Sequence, residues 1–181
     1  TKSSFACINF LILENSLDND MVSFLLLRLA SIAERNNQST SLRYHILTPA
    51  TSLIYLYPDQ CGQFVPFLSK CLLSEIHALT NIDDNDLDFV EAQVKVCFRM
   101  FTAIAEKYPE FINEEWIPSF ILLLEILSMF GDPSSKDINS ILMIVQLFAS
   151  LPSKGMGIFD EGSKICEYIS SWASQVNSIE E

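Results

Sequence analysis

Four acidic side chains crowd one short stretch of the sequence: Asp83, Asp84, Asp86 and Asp88. Carboxylates at alternate positions open a calcium-binding loop, which also needs a glycine at its sixth position and a bidentate glutamate at its twelfth. Counted from Asp84, those positions hold Phe89 and Lys95. The pattern therefore favours capping of a helix start, where carboxylates accept from free amides and meet the positive end of the helix dipole.

Other residue patterns that support catalysis or metal binding are missing from the sequence. His45 and His77 are the two histidines, and neither has a Cys or His at metal-ligand spacing. The stretch at residues 155–157 reads Gly-Met-Gly without the Gly-Lys-Ser/Thr of a phosphate-binding loop. Glu114 and Glu115 lie at a predicted helix start, where capping accounts for them. We expect no enzyme activity, no cofactor and no metal.

The five cysteines are odd in number, scattered, and form no Cys-x-x-Cys pair: Cys7, Cys61, Cys71, Cys97 and Cys166. Three of them (Cys71, Cys97 and Cys166) fall inside apolar helical runs, where cysteine behaves as a small core residue. This usage is typical of a reducing compartment, so we expect the cytoplasm, the nucleus or both.

The net charge of −12 argues against a nucleic-acid partner, because such binding requires Lys and Arg to neutralise phosphates. An acidic surface attracts basic proteins or simply keeps an apolar protein in solution, and both interpretations stay open. The longest apolar run, residues 117–130, contains Glu125 and is too short to cross a membrane. The chain opens at Thr1 without Met or a visible signal peptide, so we expect a piece of a longer protein.

Apolar spacing near 3.6 residues recurs in every long segment, which predicts about eight helices, no sheet and an all-α fold. The clearest stripe lies in residues 86–108, on Leu87, Val90, Val94, Cys97, Phe98, Phe101, Ile104 and Tyr108. Further stripes are predicted in the helices before and after it, on Met21, Leu25, Leu29 and Ile32; on Leu42, Ile46, Leu53 and Tyr57; on Ile117, Phe120, Ile121, Leu124 and Leu127; and on Ile138, Ile141, Leu142, Val145 and Phe148. Pro49 falls inside one helix and predicts a kink or break there. Helices are also predicted for residues 4–14 and 160–176.

Two stretches about fifty residues apart share one pattern. Tyr57-Pro58-Asp59 precedes Phe64-Val65-Pro66, and Tyr108-Pro109-Glu110 precedes Trp116-Ile117-Pro118. Self-similarity at this period is typical of stacked helical repeats, whose units cannot bury their apolar faces alone.

This order of parts resembles HEAT repeats, in which a first helix opens near an aliphatic-Pro pair and a second opens with aliphatic-Arg and ends before a proline. Val65-Pro66, Ile117-Pro118 and Leu42-Arg43 match those elements, as do the closing prolines Pro58, Pro109 and Pro152. The aliphatic-Arg pair is absent at Phe89-Val90 and Ile138-Asn139, and the first repeat lacks its opening proline. The resemblance implies a right-handed α-solenoid of hairpins in a single array, with repeats at residues 18–58, 63–109 and 114–152 and half repeats at both ends.

Residues 83–130 are also similar to the mid-region of β-karyopherins of the exportin and transportin type. That resemblance implies a segment of a nuclear transport receptor that carries protein or ribonucleoprotein cargo and meets the GTPase Ran through its parent chain. The alternative is a structural HEAT-repeat subunit of a large intracellular complex. Candidate partner-binding residues are the four aspartates, which steer basic cargo, and Trp116, which stands at a helix start as an interface anchor or packs against the preceding helix.

Overall fold

The computed structural model describes residues 2–14, 17–35, 40–81, 87–131, 134–151, 166–168 and 170. Nearly all of these residues are helical and no strand occurs among them, so the predicted all-α class is confirmed. The helices are α1 (Lys2–Leu13), α2 (Asn19–Arg35), α3 (Thr40–Leu56), α4 (Pro58–Cys61), α5 (Val65–Ala78), α6 (Leu87–Lys107), α7 (Ile117–Ser128) and α8 (Ser135–Ser150). Residues 166–168 and 170 are helical as well, and the rest of the predicted helix at 160–176 lies outside the described residues.

The chain forms two compact units, Thr1–Phe111 and Ile112–Glu181. In the first unit α3 packs against α1, α2, α5 and α6, and α5 also packs against α6. The single continuous array and its right-handed sense stay predictions.

The helix α6 packs on α3 and α5, and its predicted stripe is buried at every position whose side chain the structure describes. Leu87, the first residue of the predicted stripe, is not among the described side chains. Val94, Cys97, Phe101 and Ile104 are fully buried, and Glu106 is exposed. Burial extends beyond the stripe to Met100 and Ala103, among others, because α6 is covered by both α3 and α5. Burial on two sides explains why the interior of α6 is apolar over more than one stripe.

The two Tyr-Pro motifs form the same local structure. In both, the tyrosine amide donates a 2.8 Å hydrogen bond to the carbonyl four residues earlier, Leu53 for Tyr57 and Ile104 for Tyr108. The proline then begins a short helical segment, Pro58–Cys61 in the first motif and Pro109–Phe111 in the second.

The second half of each motif also matches. A 3-10 turn ends at a buried aromatic residue, Phe64 or Trp116, which occupies the position just before the next long helix. The proline at the second position of that helix, Pro66 or Pro118, needs no amide partner there. The two similar stretches of sequence therefore form the same type of connection between helices.

Pro49 does not break α3, so that part of the expectation is wrong. The helix is continuous from Thr40 to Leu56. The hydroxyls of Thr48 and Thr51 on either side of Pro49 donate to the carbonyls of Tyr44 and Leu47, at 3.1 and 2.7 Å. Packing on five neighbouring helices holds the backbone helical through the proline.

In the second unit, the predicted stripe of α7 is buried in full: Ile117, Phe120, Ile121, Leu124 and Leu127. The helix ends before Gly131, whose φ of 112° is a conformation that glycine adopts without strain. Ser134 and Asp137 form a capping box at the start of α8.

The predicted stripe of α8 needs one correction. Ile141 and Phe148 are buried as expected, and the Phe148 ring lies 5.6 Å from Phe120 in an edge-to-face arrangement. Leu142, in contrast, is 39% exposed and Ile144 is buried in its place. Both residues are apolar, so the periodicity alone left the orientation of the helix open.

Candidate partner-binding surface

The helix α2 carries apolar side chains on two opposite sides. Its inner side is buried at Val22, Leu26 and Leu29. Its outer side exposes 51, 55 and 59% of Met21, Phe24 and Leu27. Residues three and four apart share a helix face, so these three form one exposed apolar stripe.

Two charged residues flank this stripe. The Arg28 guanidinium lies 5.1 Å from the centre of the Phe24 ring, a cation–π arrangement. Asp20 lies exposed in the first turn of α2. Within the described part of the chain, no ion pair includes Asp20 or Arg28. We call Asp20, Met21, Phe24, Leu27 and Arg28 together the outer face of α2.

Hydrogen bonds at the start of α2 fix its orientation. The Asp18 carboxylate accepts a 2.8 Å hydrogen bond from the Met21 amide, which satisfies one free donor of the first turn. The Gln60 side chain of α4 donates to the Asn19 side-chain oxygen at 2.9 Å. Packing of α2 on α3, α4 and α5 uses its inner side and leaves the outer face in solvent.

The neighbouring helix α1 also exposes apolar side chains. Phe10 and Leu11 are 63 and 49% exposed, whereas Ile12 is fully buried. Its attachment to α3 includes a 3.2 Å hydrogen bond from the Ser52 hydroxyl to the Asn9 side-chain oxygen. Exposed apolar residues thus lie on both of the first two helices.

A buried polar cluster joins three helices of the first unit. The Arg43 Nε of α3 donates to Glu75 of α5 at 2.6 Å, and the Gln93 amide of α6 donates to the other carboxylate oxygen at 2.9 Å. The Glu75 side chain is 1% exposed. Burial raises the pKa of Glu75, against the opposing effect of Arg43 and the Gln93 hydrogen bond.

The position of this cluster suits a structural role and does not allow it to react with a bound molecule. Glu75 is closed off from solvent, and its two oxygens are already engaged by Arg43 and Gln93. Buried polar groups that hydrogen-bond to one another favour one arrangement of the surrounding helices. We infer that the cluster fixes how α3, α5 and α6 are aligned with one another.

Three cysteines are buried and poorly suited to nucleophilic chemistry. Burial raises the pKa of Cys61 to about 12 and that of Cys71 to about 11. Burial also raises the pKa of Cys97 well above its ordinary value. A thiolate is the reactive form, so these groups are inert near neutral pH. Cys7 and Cys166 are exposed, so the expectation that Cys166 is a core residue is wrong.

The structure places only part of the predicted partner-binding set. Asp83, Asp84 and Asp86 lie outside the described residues. Asp88 is exposed in the first turn of α6, as a capping residue would be. Trp116 is 4% exposed at the start of α7, which favours packing over the interface-anchor interpretation.

The outer face of α2 was missed because Met21 was placed on the buried stripe with Leu25 and Leu29. The buried positions are instead Val22, Leu26 and Leu29, and Met21 is turned to solvent. The predicted set and the observed set both follow helical spacing. The signal was that apolar residues occur on both sides of the helix, which no single stripe accounts for.

The described residues contain no group of three or more His, Cys, Asp or Glu side chains placed to hold a metal ion. Among the helices in the described ranges, none is both long enough and apolar enough to span a membrane.

No protein-family model, curated protein or solved structure matches the chain.

Proposed function

We propose that this chain is a non-enzymatic, protein-binding helical-repeat scaffold and that the outer face of α2 is one of its binding surfaces. One observation carries the proposal: Met21, Phe24 and Leu27 are each more than half exposed on a helix whose opposite side is buried. Adjacent exposed apolar side chains flanked by charge mark sites of protein association.

The geometry favours a helical partner. Met21, Phe24 and Leu27 follow the three-residue spacing by which one helix packs its side chains between those of another. A helix-to-helix contact needs apolar residues on one face of the partner, in the manner of helices that bind hydrophobic grooves. An acidic group at the edge of that partner would pair with Arg28.

The more specific proposal is a segment of a nuclear transport receptor that carries protein or ribonucleoprotein cargo. It is supported by the resemblance to HEAT repeats and β-karyopherins, by the repeated Tyr-Pro connections and by the net charge of −12, which attracts basic cargo. In this proposal the hairpins stack as a right-handed solenoid in the cytoplasm or nucleus, and Ran acts through the parent chain. The alternative is a structural subunit of a large intracellular complex.

A capture experiment tests the surface and separates the two forms of the proposal. The immobilised 181-residue chain is compared with Leu27→Glu and with Gln63→Glu, an exposed site that gains the same charge. We expect proteins retained by the original chain and by Gln63→Glu to be lost with Leu27→Glu. Equal retention by all three would contradict the proposed surface.

The same capture is repeated with parent-length protein, with Ran loaded with GTP or GDP. Release of the captured proteins by the GTP form alone, or their retention by the GTP form alone, supports a transport receptor. Retention in both nucleotide states supports the structural subunit.

A further inference from the structure

We propose that the outer face of α2 pairs with the same face of a second copy of this chain. The two α2 helices would lie antiparallel, related by a two-fold axis that passes beside Phe24. This inference rests on the proposed protein-binding role of the outer face, and it names the partner of that face.

The order of residues along the outer face is self-complementary. In an antiparallel two-fold pair centred on Phe24, a residue before Phe24 lies level with the residue equally far after Phe24 in the other copy. Asp20 and Arg28 are each four residues from Phe24, about 6 Å along the helix axis. The negative group of each copy therefore lies level with the positive group of the other.

The apolar residues obey the same symmetry. Met21 and Leu27 are each three residues from Phe24, so each methionine lies level with the leucine of the other copy. The two Phe24 rings meet at the axis, where aromatic pairs pack edge-to-face or offset. All three side chains are more than half exposed in the single chain and would be covered in the pair.

Charge decides between antiparallel and parallel pairing. A parallel pair would place Asp20 beside Asp20 and Arg28 beside Arg28, and like charges at an interface oppose association. Neither residue is engaged in an ion pair within the described residues, so both charges are available across the interface. The observed sequence of charges thus fits a second copy in one orientation.

Sedimentation velocity of the 181-residue chain, over a range of concentrations at about 0.15 M salt, tests the pairing with charge reversals. We expect a monomer–dimer equilibrium. Asp20→Arg or Arg28→Asp alone creates two repulsive contacts per dimer and should raise the dissociation constant about tenfold. The double variant Asp20→Arg/Arg28→Asp restores both attractions and should return the constant to within about threefold of the original.

The control is Arg99→Asp, an exposed site on α6 that undergoes the same change of charge, and it should leave the equilibrium unchanged. Circular dichroism checks that each variant is folded. Effects of the two reversals that simply add in the double variant overturn the antiparallel pairing. A monomer at every concentration overturns the second-copy inference. If Leu27→Glu still abolishes capture of other proteins from that monomer, the proposed binding surface stands without the inference.

Discussion

The Tyr108 hydroxyl donates a hydrogen bond to the backbone carbonyl oxygen of Pro58. The tyrosine of the second Tyr-Pro motif thereby holds the proline of the first, across fifty residues of sequence. The Tyr108 ring is 7% exposed and also packs edge-to-face on Phe111 at 6.4 Å. The repeated motif therefore forms a contact between the end of α6 and the end of α3, as well as a local turn.

Replacing Tyr108 by Phe tests this contact, because it removes the hydroxyl and keeps the ring. We expect a loss of about 0.5–1.5 kcal/mol in the free energy of unfolding, the range for one hydrogen bond. Tyr57→Phe is the matched control, since the buried Tyr57 hydroxyl has no hydrogen-bond partner among the described residues. It should be neutral or slightly stabilising. Equal losses for both variants in urea denaturation would show that the Pro58 contact contributes nothing.

The titration of Glu75 should contribute to the pH dependence of stability. Burial raises its pKa in the folded chain, so the native state binds this proton more readily than the unfolded state does. Between the ordinary pKa of glutamate, about 4.3, and the raised folded value, this group makes stability fall as pH rises. We expect the difference in unfolding free energy between the original chain and Glu75→Gln to grow in favour of the original as pH falls through that window. If this difference stayed constant or became smaller as pH falls, the effect of Arg43 on the Glu75 pKa would equal or exceed that of burial.

Truncation of Phe101 should reveal the core of the first unit. The side chain is fully buried in α6, and Phe101→Ala should cost about 3–5 kcal/mol in unfolding free energy. Glu106→Ala, on the exposed side of the same helix, should stay within about 0.5 kcal/mol of the original. Its ion pair with Lys107, at 2.7 Å, is at the surface and contributes little. If both variants lost similar unfolding free energy in a denaturant titration, the side of α6 that contains Phe101 would not be the core side.

Thiol labelling should divide the five cysteines into two classes. Cys7 and Cys166 are exposed and should react with a thiol reagent in the native chain near pH 8. The three buried thiols, with pKa values raised to about 12 for Cys61 and about 11 for Cys71, should react only after unfolding in urea. Mass spectrometry of labelled peptides gives the sites, and rapid native labelling of Cys61 would contradict the burial of that side chain.

The sequence predicted those parts of the fold in which only one helix orientation is consistent with the pattern. In α6, Glu91, Lys95 and Arg99 interrupt the apolar residues, so the buried side of the helix was unambiguous. In α2 and α8, apolar residues on several sides allow more than one orientation, and Met21 and Leu142 were placed wrongly.

Other features depend on contacts that no local pattern contains. In the buried cluster, Glu75 binds Arg43 and Gln93, which lie 32 and 18 positions away from it in the sequence. The continuity of α3 through Pro49 likewise depends on its neighbours. Which side of α2 forms its outer face likewise depends on the helices that bury the opposite side.

Photocrosslinking from position 24 tests the central claim, that the outer face of α2 binds protein, most directly. A benzoyl-phenylalanine replaces Phe24 in the chain expressed in cells, and the same group at the exposed Gln63 serves as the control. We predict a light-dependent adduct of defined mass from position 24 that is absent from position 63, with twice the chain mass if the partner is a second copy. No adduct from position 24, or the same adducts from both positions, would contradict the claim.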